Sequence, residues 1–373
     1  MKFIVPSSLL LEHLQMVSGA IVSKPVLPIL ENFLFDISKG ELTIHSTDLE
    51  TSMSTTIKVE AKEDIKVAVP SKMTLEILRS LPDQPVTFTV NEDTFAIEMS
   101  TSFGRYKLAG QPGNDYPKLP EVDAESTFTL SSNILLRAIS KSIFATGTDD
   151  LRLNLTGVYV EMSEGSINFV ATDANRLVRI TRDDVKPGVE NNFILPKKAL
   201  NLLKSSLSND VAPVRVDYNK SNVFFTLGDM KLTCRMIDER YPDYKAVIPS
   251  DNNNHLTINR IELLNSVRRI SIFSNKTTHQ IRLKITGNEL NISAEDLEMA
   301  NEAQERLNCE YDGEDLEIGF NSRFLQDMLA NIDHDEVVLQ LSTPNRAGLM
   351  VPKENETDES VTMLIMPMML NNY

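Results

Sequence analysis

Three stretches of similar pattern decide how this chain folds: FIVPSSLLLEHLQMVSGAI (3–21), FTLSSNILLRAISKSIFAT (128–146) and LTINRIELLNSVRRISIFS (256–274). Each begins with a short extended segment and continues with apolar residues at the spacing of an amphipathic helix. The copies start 125 and 128 residues apart. This spacing indicates an internal repeat, which has to be recognised before any other feature is interpreted.

A second strand-to-helix pattern follows each copy, as VPSKMTLEILRSLP (69–82), LPKKALNLLKSSLS (195–208) and FNSRFLQDMLANID (320–333). Between the two patterns lies a short acidic turn, HSTDLE (45–50), VATDAN (170–175) or SAEDLE (293–298). Landmarks that keep their order and spacing predict three homologous domains. We place them at 1–124, 125–253 and 254–373, with the polar run PSDNNNH (249–255) suited to a linker.

Each predicted domain contains two helices and about eight strands. Helices are expected at 7–20, 71–82, 131–145, 197–208, 259–276 and 321–332. Alternating segments such as VTFTVNEDTFAIEMS (86–100) are typical of antiparallel hairpins. The fold class is therefore α+β.

Composition and charge limit the possible functions. Two cysteines among 373 residues are too few for a disulfide framework, so a reducing cytoplasmic compartment is the simpler interpretation. No segment has the roughly 20 apolar residues that would span a membrane, and we predict no membrane association. The net charge is −16, yet the six predicted helices carry +8, which leaves −24 on the rest of the chain. Such basic helices favour a phosphate-backbone partner, although they are also compatible with ordinary solvated helix faces.

Nothing in the sequence indicates catalysis. The five histidines are scattered without metal-ligand spacing, and neither a phosphate-binding GxxxxGK[ST] loop nor a GxGxxG motif is present. Asp48 and Asp173 recur at one repeat position, with Glu295 and Asp296 in the third copy, and are interpreted as turn formers. We predict no enzyme, metal or cofactor. Two alternatives stay open: a DNA-processing enzyme with carboxylate-bound metal, and a repeat scaffold that binds only proteins.

Several segments resemble a known family, namely KPVLPILENFLF (24–35), TDLE (47–50), ATDANRLV (171–178), RYPDY (240–244) and IMPMML (365–370). The chain is similar over essentially its whole length to the bacterial sliding clamp, the β subunit of DNA polymerase III. The resemblance implies a head-to-tail homodimer whose six domains form a ring lined by twelve helices. With helix axes about 9 Å apart and helices about 10 Å thick, such a ring leaves a hole of roughly 24 Å, which is wide enough for duplex DNA.

The resemblance also implies three sets of site residues. Contacts with DNA are expected from Lys24, Lys72, Arg79, Arg152, Lys197, Lys198 and Arg240. A pocket for partner peptides is expected from Leu155, Thr172, Arg176, Leu177, Pro242, Val247, Leu364, Met366, Pro367 and Met368, with Arg152, Asn154, Asn175, Phe324 and Met369 at its periphery. The dimer seam is expected to join Arg105, Tyr106 and Leu108 to the partner's Ile272, Phe273, Glu302 and Glu305.

The expected partners are double-stranded DNA, the replicative polymerase, the clamp loader, and other replication and repair proteins that carry a clamp-binding motif. The protein would be cytoplasmic and would associate with the nucleoid during replication. The chain departs from the family pattern at Asp149, Asn154, Asn175, Ala246 and Met369, and Asn371, Asn372 and Tyr373 extend the usual C-terminus. A methionine-rich groove can adapt to different peptides, and Pro367 favours an exposed segment over a paired strand.

Overall fold

The computed structural model describes residues 1–370, so the three C-terminal positions noted above lie outside the described residues. The chain forms two compact units. One contains Met1–Leu135 and Lys198–Met236, and the other contains Leu136–Lys197 and the residues from Ile237 onward. Each unit therefore combines parts of two adjacent sequence repeats.

The first repeat supplies two helices and ten strands, two of which are very short. In chain order they are β1 (Lys2–Pro6), α1 (Ser7–Val17), β2 (Asn32–Ser38), β3 (Glu41–Thr47), β4 (Thr51–Lys58), β5 (Glu60–Ala61), β6 (Ile65–Pro70), α2 (Ser71–Ser80), β7 (Pro85–Val90), β8 (Ala96–Ser100), β9 (Arg105–Ala109) and β10 (Gln111–Pro112).

The second and third repeats follow the same order. The second contains β11 (Ser126–Ser131), α3 (Ser132–Ser142), β12 (Gly157–Met162), β13 (Ile167–Thr172), β14 (Arg176–Arg182), β15 (Asn191–Pro196), α4 (Lys197–Ser206), β16 (Pro213–Tyr218), β17 (Asn222–Leu227) and β18 (Met230–Arg235). The third contains β19 (Asn254–Asn259), α5 (Arg260–Ser271), β20 (Gln280–Thr286), β21 (Glu289–Asp296), β22 (Asn301–Asn308), β23 (Glu310–Asp312), β24 (Leu316–Asn321), α6 (Ser322–Ala330), β25 (Glu336–Leu341), β26 (Gly348–Pro352) and β27 (Glu359–Ile365).

All six predicted helices are present, and the α+β class with antiparallel sheets is confirmed. In the third repeat an asparagine caps the N-terminus of each helix. The side chain of Asn259 accepts a hydrogen bond from the backbone amide of Glu262, and that of Asn321 accepts one from the amide of Arg323. The predicted helices at 7–20 and 131–145 end instead in single 3₁₀ turns, Ser18–Ala20 and Ile143–Ala145. None of the helices within residues 1–370 is long and apolar enough to cross a membrane.

The acidic turns are built from aspartate side chains, as the sequence predicts. Asp48 accepts the amides of Glu50 and Thr51 through one carboxylate oxygen. Asp173 accepts the amides of Asn175 and Arg176 in the same way, and Asp296 accepts those of the second and third residues after it. Each carboxylate therefore shapes a turn of the repeat.

In the first unit, a nine-stranded sheet joins the first repeat to part of the second. Its order is β10-β6-β2-β3-β4-β18-β17-β16-β11, and the junction is the antiparallel pairing of β4 with β18. Ser52 lies opposite Thr233 in that pairing. A separate five-stranded sheet, β5-β1-β7-β8-β9, completes the first repeat. Its core includes Phe3, stacked on Phe88 with ring centroids 4.8 Å apart.

The second unit repeats this arrangement one domain later. Its nine-stranded sheet has the order β15-β12-β13-β14-β27-β26-β25-β19-β23, and β14 pairs with β27 at the junction. Leu177 faces Leu364 across this pairing. A four-stranded sheet, β22-β21-β20-β24, completes the third repeat. Thus β9 and β22 are end strands of their sheets. Their counterparts in the other repeats, β18 and β27 for β9 and β4 and β14 for β22, have a neighbouring strand on both sides.

Buried charges reinforce the junction in the second unit. The carboxylate of Glu359, on β27, is only 2% exposed and lies 2.8 Å from Nε of Arg137 and 3.0 Å from Nη1 of Arg182. Burial acts to lower the pKa of Arg137, but the hydrogen bond and charge of Glu359 raise it above its ordinary value. Nζ of Lys141 and Nη1 of Arg137 also contact Asp333. These contacts fix α3 to β27, across the junction of the second and third repeats.

We predict that Glu359→Gln lowers the free energy of unfolding by about 3 kcal/mol, because it removes the buried carboxylate that the guanidinium groups of Arg137 and Arg182 share. Urea unfolding followed by circular dichroism measures this change. The matched control is Glu356→Gln, since this half-exposed carboxylate lies 3.8 Å from the same arginine and its loss should cost less than about 1 kcal/mol. Equal effects of the two substitutions would contradict the role assigned to Glu359.

Candidate functional site

The floor of the candidate peptide pocket is the outer face of the β14–β27 junction. Leu177 and Leu364 are both nearly inaccessible and belong to one apolar cluster with Tyr241 and Tyr244. Tyr241 stacks on Tyr159 with a ring-centroid distance of 4.4 Å. Burial raises the pKa of Tyr241 above its ordinary value, so its hydroxyl stays protonated. The RYPDY segment therefore anchors the linker after β18 against the sheet.

The linker presents two of the predicted pocket residues to solvent. Pro242 is exposed between the two buried tyrosines, and the side chain of Val247 is 55% exposed at the end of the 3₁₀ turn Tyr244–Val247. The hydroxyl of Tyr244 donates to the carboxylate of Glu161 at 2.6 Å. This bond holds the turn in place, so Val247 stays at the pocket surface.

Arg176, a predicted pocket residue, is enclosed by aromatic and acidic side chains. Its guanidinium lies 4.7 Å from the ring centre of Phe324 and 5.4 Å from that of Phe144. It also contacts Asp173 at 3.0 Å and Asp327 at 2.6 Å. The residue is only 8% exposed and its donors are occupied, so Arg176 is held rigidly beside Leu177.

The C-terminal segment forms another side of the site. β27 ends at Ile365, two residues before Pro367, which confirms that the paired strand stops at the IMPMM motif. The amide of Met366 donates to the carbonyl of Asn175 at 2.8 Å, and the amide of Met368 donates to the carbonyl of Gly319. The side chains of Met366 and Met369 remain 43% and 76% exposed, so they are free to contact a ligand.

A cleft of about 230 Å³ continues from the pocket toward the loop before Arg152. Leu155, Asn175 and Arg152 line it together with Asp149. Nε of Arg152 donates to Asp149 at 2.8 Å. The amide of Leu151 and, after it, the guanidinium of Arg152 hold the pKa of Asp149 below its ordinary value. In this chain Asp149 therefore forms an ion pair with Arg152, the arginine that the resemblance assigns to DNA binding.

The structure thus brings subsets of the predicted pocket residues together: Leu177 and Leu364 share an apolar cluster, and Leu155, Asn175 and Arg152 line one cleft. The side-chain amide of Asn154 donates to the carbonyl of Arg240 at 3.0 Å. Thr172 points inward, because its hydroxyl donates to the carbonyl of Arg176. The sequence reasoning missed Phe144, Asp173 and Asp327 as supports of the site. The sequence offers a signal only for Asp173, which lies in the quoted ATDAN motif.

The predicted DNA-contacting residues differ in exposure and in whether they form ion pairs. Lys72 and Arg79 are exposed on α2 and form no ion pair with any residue among positions 1–370. Lys198 pairs with Asp48, and Lys24 lies in a loop with a left-handed backbone (φ 58°). Lys197 is half-buried at the start of α4.

The helices present less free positive charge than a count of residues indicates. Arg137 and Lys141 on α3 are neutralised by carboxylates, and Arg269 on α5 is bound to Glu305 through two contacts of 2.7 and 2.6 Å. Arg260 donates to two backbone carbonyls. These four basic side chains of the predicted helices therefore have partners within the chain.

The predicted seam residues lie on the end strands β9 and β22 or beside them. Arg105 on β9 and Glu302 on β22 are exposed, and so are Ile272 (65%) and Phe273 (38%) after α5. Leu108 is only 3% exposed and packs within its own unit. Within residues 1–370, no group of three or more His, Cys, Asp or Glu is arranged to hold a metal ion.

Comparison with known proteins gives the family. Sequence models of the N-terminal, central and C-terminal domains of the DNA polymerase III beta subunit match residues 1–120, 129–243 and 245–369. The beta sliding clamp of Haemophilus influenzae is 32% identical over 372 residues, which cover 99% of this chain and all of that protein.

Solved structures agree with this match. A DNA polymerase sliding clamp from Pseudomonas aeruginosa, solved with a ligand, superposes with a TM-score of 0.94 at 29% identity, covering 99% of this chain and all of that one. A second structure from that organism, bound to griselimycin, gives a TM-score of 0.93 at the same identity and coverage. The fold thus defines a DNA polymerase III beta subunit. The chain belongs to the beta sliding clamp family, whose members are non-enzymatic processivity factors.

Proposed function

We propose that two copies of this chain form a closed ring around duplex DNA, slide along it without sequence specificity, and tether the replicative polymerase. The domains would be 1–124, 125–253 and 254–373. The clamp loader and other replication and repair proteins would use the same peptide pocket. The protein would be cytoplasmic and would join the nucleoid during replication. Because a closed ring cannot leave DNA sideways, its phosphate contacts can be few and exchangeable.

The observation that carries the ring is the repeated junction. Ser52 and Leu177 occupy the same repeat position, since each lies opposite the threonine that begins an acidic turn, Thr47 or Thr172. Their partners across the junction, Thr233 and Leu364, also match each other. Two adjacent repeats therefore join twice in one register. A third joint of the same kind would need β22 of the third repeat and β9 of the first repeat, each of which is an end strand of its sheet.

Strand register gives the residues that would meet in that third joint. Glu302 corresponds to Ser52, because it lies opposite Glu295, which takes the place of Thr47 in the third acidic turn. Lys107 corresponds to Thr233. This follows from the pairings of successive strands, which run β1–β7–β8–β9 in the first repeat and β11–β16–β17–β18 in the second. Lys107 would therefore lie directly opposite the partner's Glu302.

The other seam pairs follow from the same register. Tyr106 would face the partner's Ala303, and Arg105 would face the partner's Gln304, diagonal to the partner's Glu302. Arg105 and Lys107 are exposed, as are Glu302 and Gln304. This register therefore places the solvent-facing side chains of the two strands on the same face of the joined sheet. Glu305 would contribute less than the resemblance implies, because Arg269 already occupies its carboxylate.

We predict that Glu302→Lys raises the dimer dissociation constant at least about tenfold, since each of two seams loses an attractive cross-strand pair and gains a repulsive one. Combining it with Lys107→Glu should restore the wild-type value. Sedimentation equilibrium measures the constant. Glu314→Lys, an exposed reversal in the same repeat, is the control and should have no effect. Failure of the second substitution to restore affinity would exclude this register.

We predict that the loaded protein stays on nicked circular DNA at high salt and is lost when the circle is cut. The experiment uses the clamp loader and ATP from the same source, with gel filtration as the readout. Glu302→Lys should shorten retention on the circle. Equal loss from circular and linear DNA would contradict topological linkage and favour a scaffold that binds only proteins.

We predict that Val247→Arg weakens binding of the polymerase's clamp-binding peptide at least about tenfold, because it places a charge on the apolar pocket. Fluorescence anisotropy with a labelled peptide measures the affinity. The control is Val211→Arg, which changes a residue 78% exposed between α4 and β16. If both variants bind the peptide like the wild type, the pocket is assigned to the wrong surface.

A further inference from the structure

A second groove lies in the first unit, on the outer face of the β4–β18 junction. Its volume is about 300 Å³, at the lower end of the range for ligand sites. The floor consists of hydroxyl-bearing and imidazole side chains from three adjacent strands: Thr43, His45, Ser52, Ser54, Thr56 and Thr233. Lys231, Asp229 and Glu121 are charged groups at its border, and the segment 119–122 forms one wall.

This groove corresponds by register to the peptide pocket of the second unit. Ser52 and Thr233 occupy the positions of Leu177 and Leu364, as the two junctions show. His45 takes the position of Val170, because His45 lies opposite Leu34 and Val170 opposite Tyr159 in equivalent strand pairs. The fold thus builds a groove at each junction, and the side chains on its floor differ in chemistry.

The wall of the groove is also equivalent to that of the pocket. Leu119 and Tyr116 pack on Leu34, as Tyr244 and Tyr241 pack beside Tyr159 in the other unit. Val122, three residues after Leu119, is equivalent to Val247, three residues after Tyr244. Val122 is 50% exposed and lines the groove. A ligand would therefore meet one exposed valine above a polar floor.

His45 has unused hydrogen-bonding capacity. Within residues 1–370, its buried Nδ1 atom has no hydrogen-bond partner. Burial lowers the pKa of His45 to about 4, against the opposing charge of Asp36 and with the help of Lys66 and Lys231. The ring is therefore neutral at pH 7, and its free nitrogen can donate or accept. Because this atom is buried, a ligand in the groove would reach it only if the His45 ring turned, and the new bond would then recover the free energy that a buried polar atom without a partner costs.

We propose that this groove binds a short extended peptide of a partner protein that carries hydroxyl or amide side chains, such as serine, threonine, asparagine or glutamine. The choice of a peptide rests on the function proposed for the equivalent pocket. The polar side chains follow from the floor, because an apolar ligand would remove water from its imidazole and hydroxyl groups without offering hydrogen bonds in return. Each chain would then hold two peptides of different chemistry at once, without competition between them.

The test uses a randomised short-peptide library displayed on phage and selected on the wild-type dimer. Labelled selected peptides are then measured by fluorescence anisotropy against three variants. His45→Val/Thr233→Leu gives the groove residues that the chain itself carries at the equivalent positions of the other unit. Val247→Arg changes the pocket, and Thr89→Val changes an exposed threonine on β7 outside both sites.

We expect one class of peptides, rich in hydroxyl and amide side chains, whose affinity falls at least about tenfold in the groove variant and is unchanged in Val247→Arg. A second, apolar class should show the reverse. If apolar peptides depend on Val247 but no peptide depends on the groove, the further inference is wrong while the pocket stands. If neither class is found, both assignments fail.

A second readout does not depend on folding of the double variant. With only five histidines, ¹⁵N labelling of imidazole groups resolves them individually, and the single substitution His45→Val identifies the signal of His45. Adding a selected polar peptide should shift the nitrogen resonances of His45 and leave those of His255 and His279 unchanged. A peptide that binds without moving the His45 signal would overturn the assignment of the groove.

Discussion

The structure depends on antiparallel pairing between edge strands of adjacent repeats. β4 pairs with β18, and β14 pairs with β27, so each nine-stranded sheet is continuous across a repeat boundary. An exposed edge strand presents unpaired backbone groups, and a protein has to cover or use them. In this chain β4, β18, β14 and β27 join adjacent repeats, whereas β9 and β22, which occupy the equivalent positions in the first and third repeats, are end strands of their sheets. Ring closure is then an extension of the contact that organises the monomer.

The same pairing explains why the chain divides into two units when its sequence repeats three times. A domain defined by sequence similarity ends at a linker, but backbone hydrogen bonds do not stop there. Additional side-chain bonds strengthen the junctions, as Glu359 does between Arg137 and Arg182. Residues on a predicted DNA-facing helix are thereby used for internal support. Positive charge available to phosphate is concentrated on fewer side chains, such as Lys72 and Arg79.

Equivalent positions of the repeats have acquired different chemistry. Leu177 and Leu364 form an apolar floor in one unit, whereas Ser52 and Thr233 form a polar one in the other. The backbone register is unchanged, so these substitutions alter recognition without altering the fold. Because alternate residues on a strand face opposite sides of the sheet, the outer face can change while the core face stays apolar.

The sequence by itself determined the features that depend on neighbouring residues. Helix positions, the acidic turns at Asp48 and Asp173, and the end of β27 before Pro367 all follow from periodicity and local hydrogen bonds. The repetition of these signals also predicted the α+β class and the family. Leu177, Leu364, Val247 and Met366 were named as pocket residues from the family resemblance.

Only the tertiary structure decided the role of residues whose partners are distant in the sequence. The side chain of Arg176 is held by Phe324 and Asp327, which lie more than 140 residues away along the chain. Arg137 and Lys141 were counted as free charge, yet Asp333 and Glu359 neutralise them. No sequence motif indicates the polar groove at His45, because the groove forms only when β18 pairs with β4. The physical reason is common to all three cases: burial and ion pairing depend on which helices and strands pack together, and residues far apart in the sequence decide that.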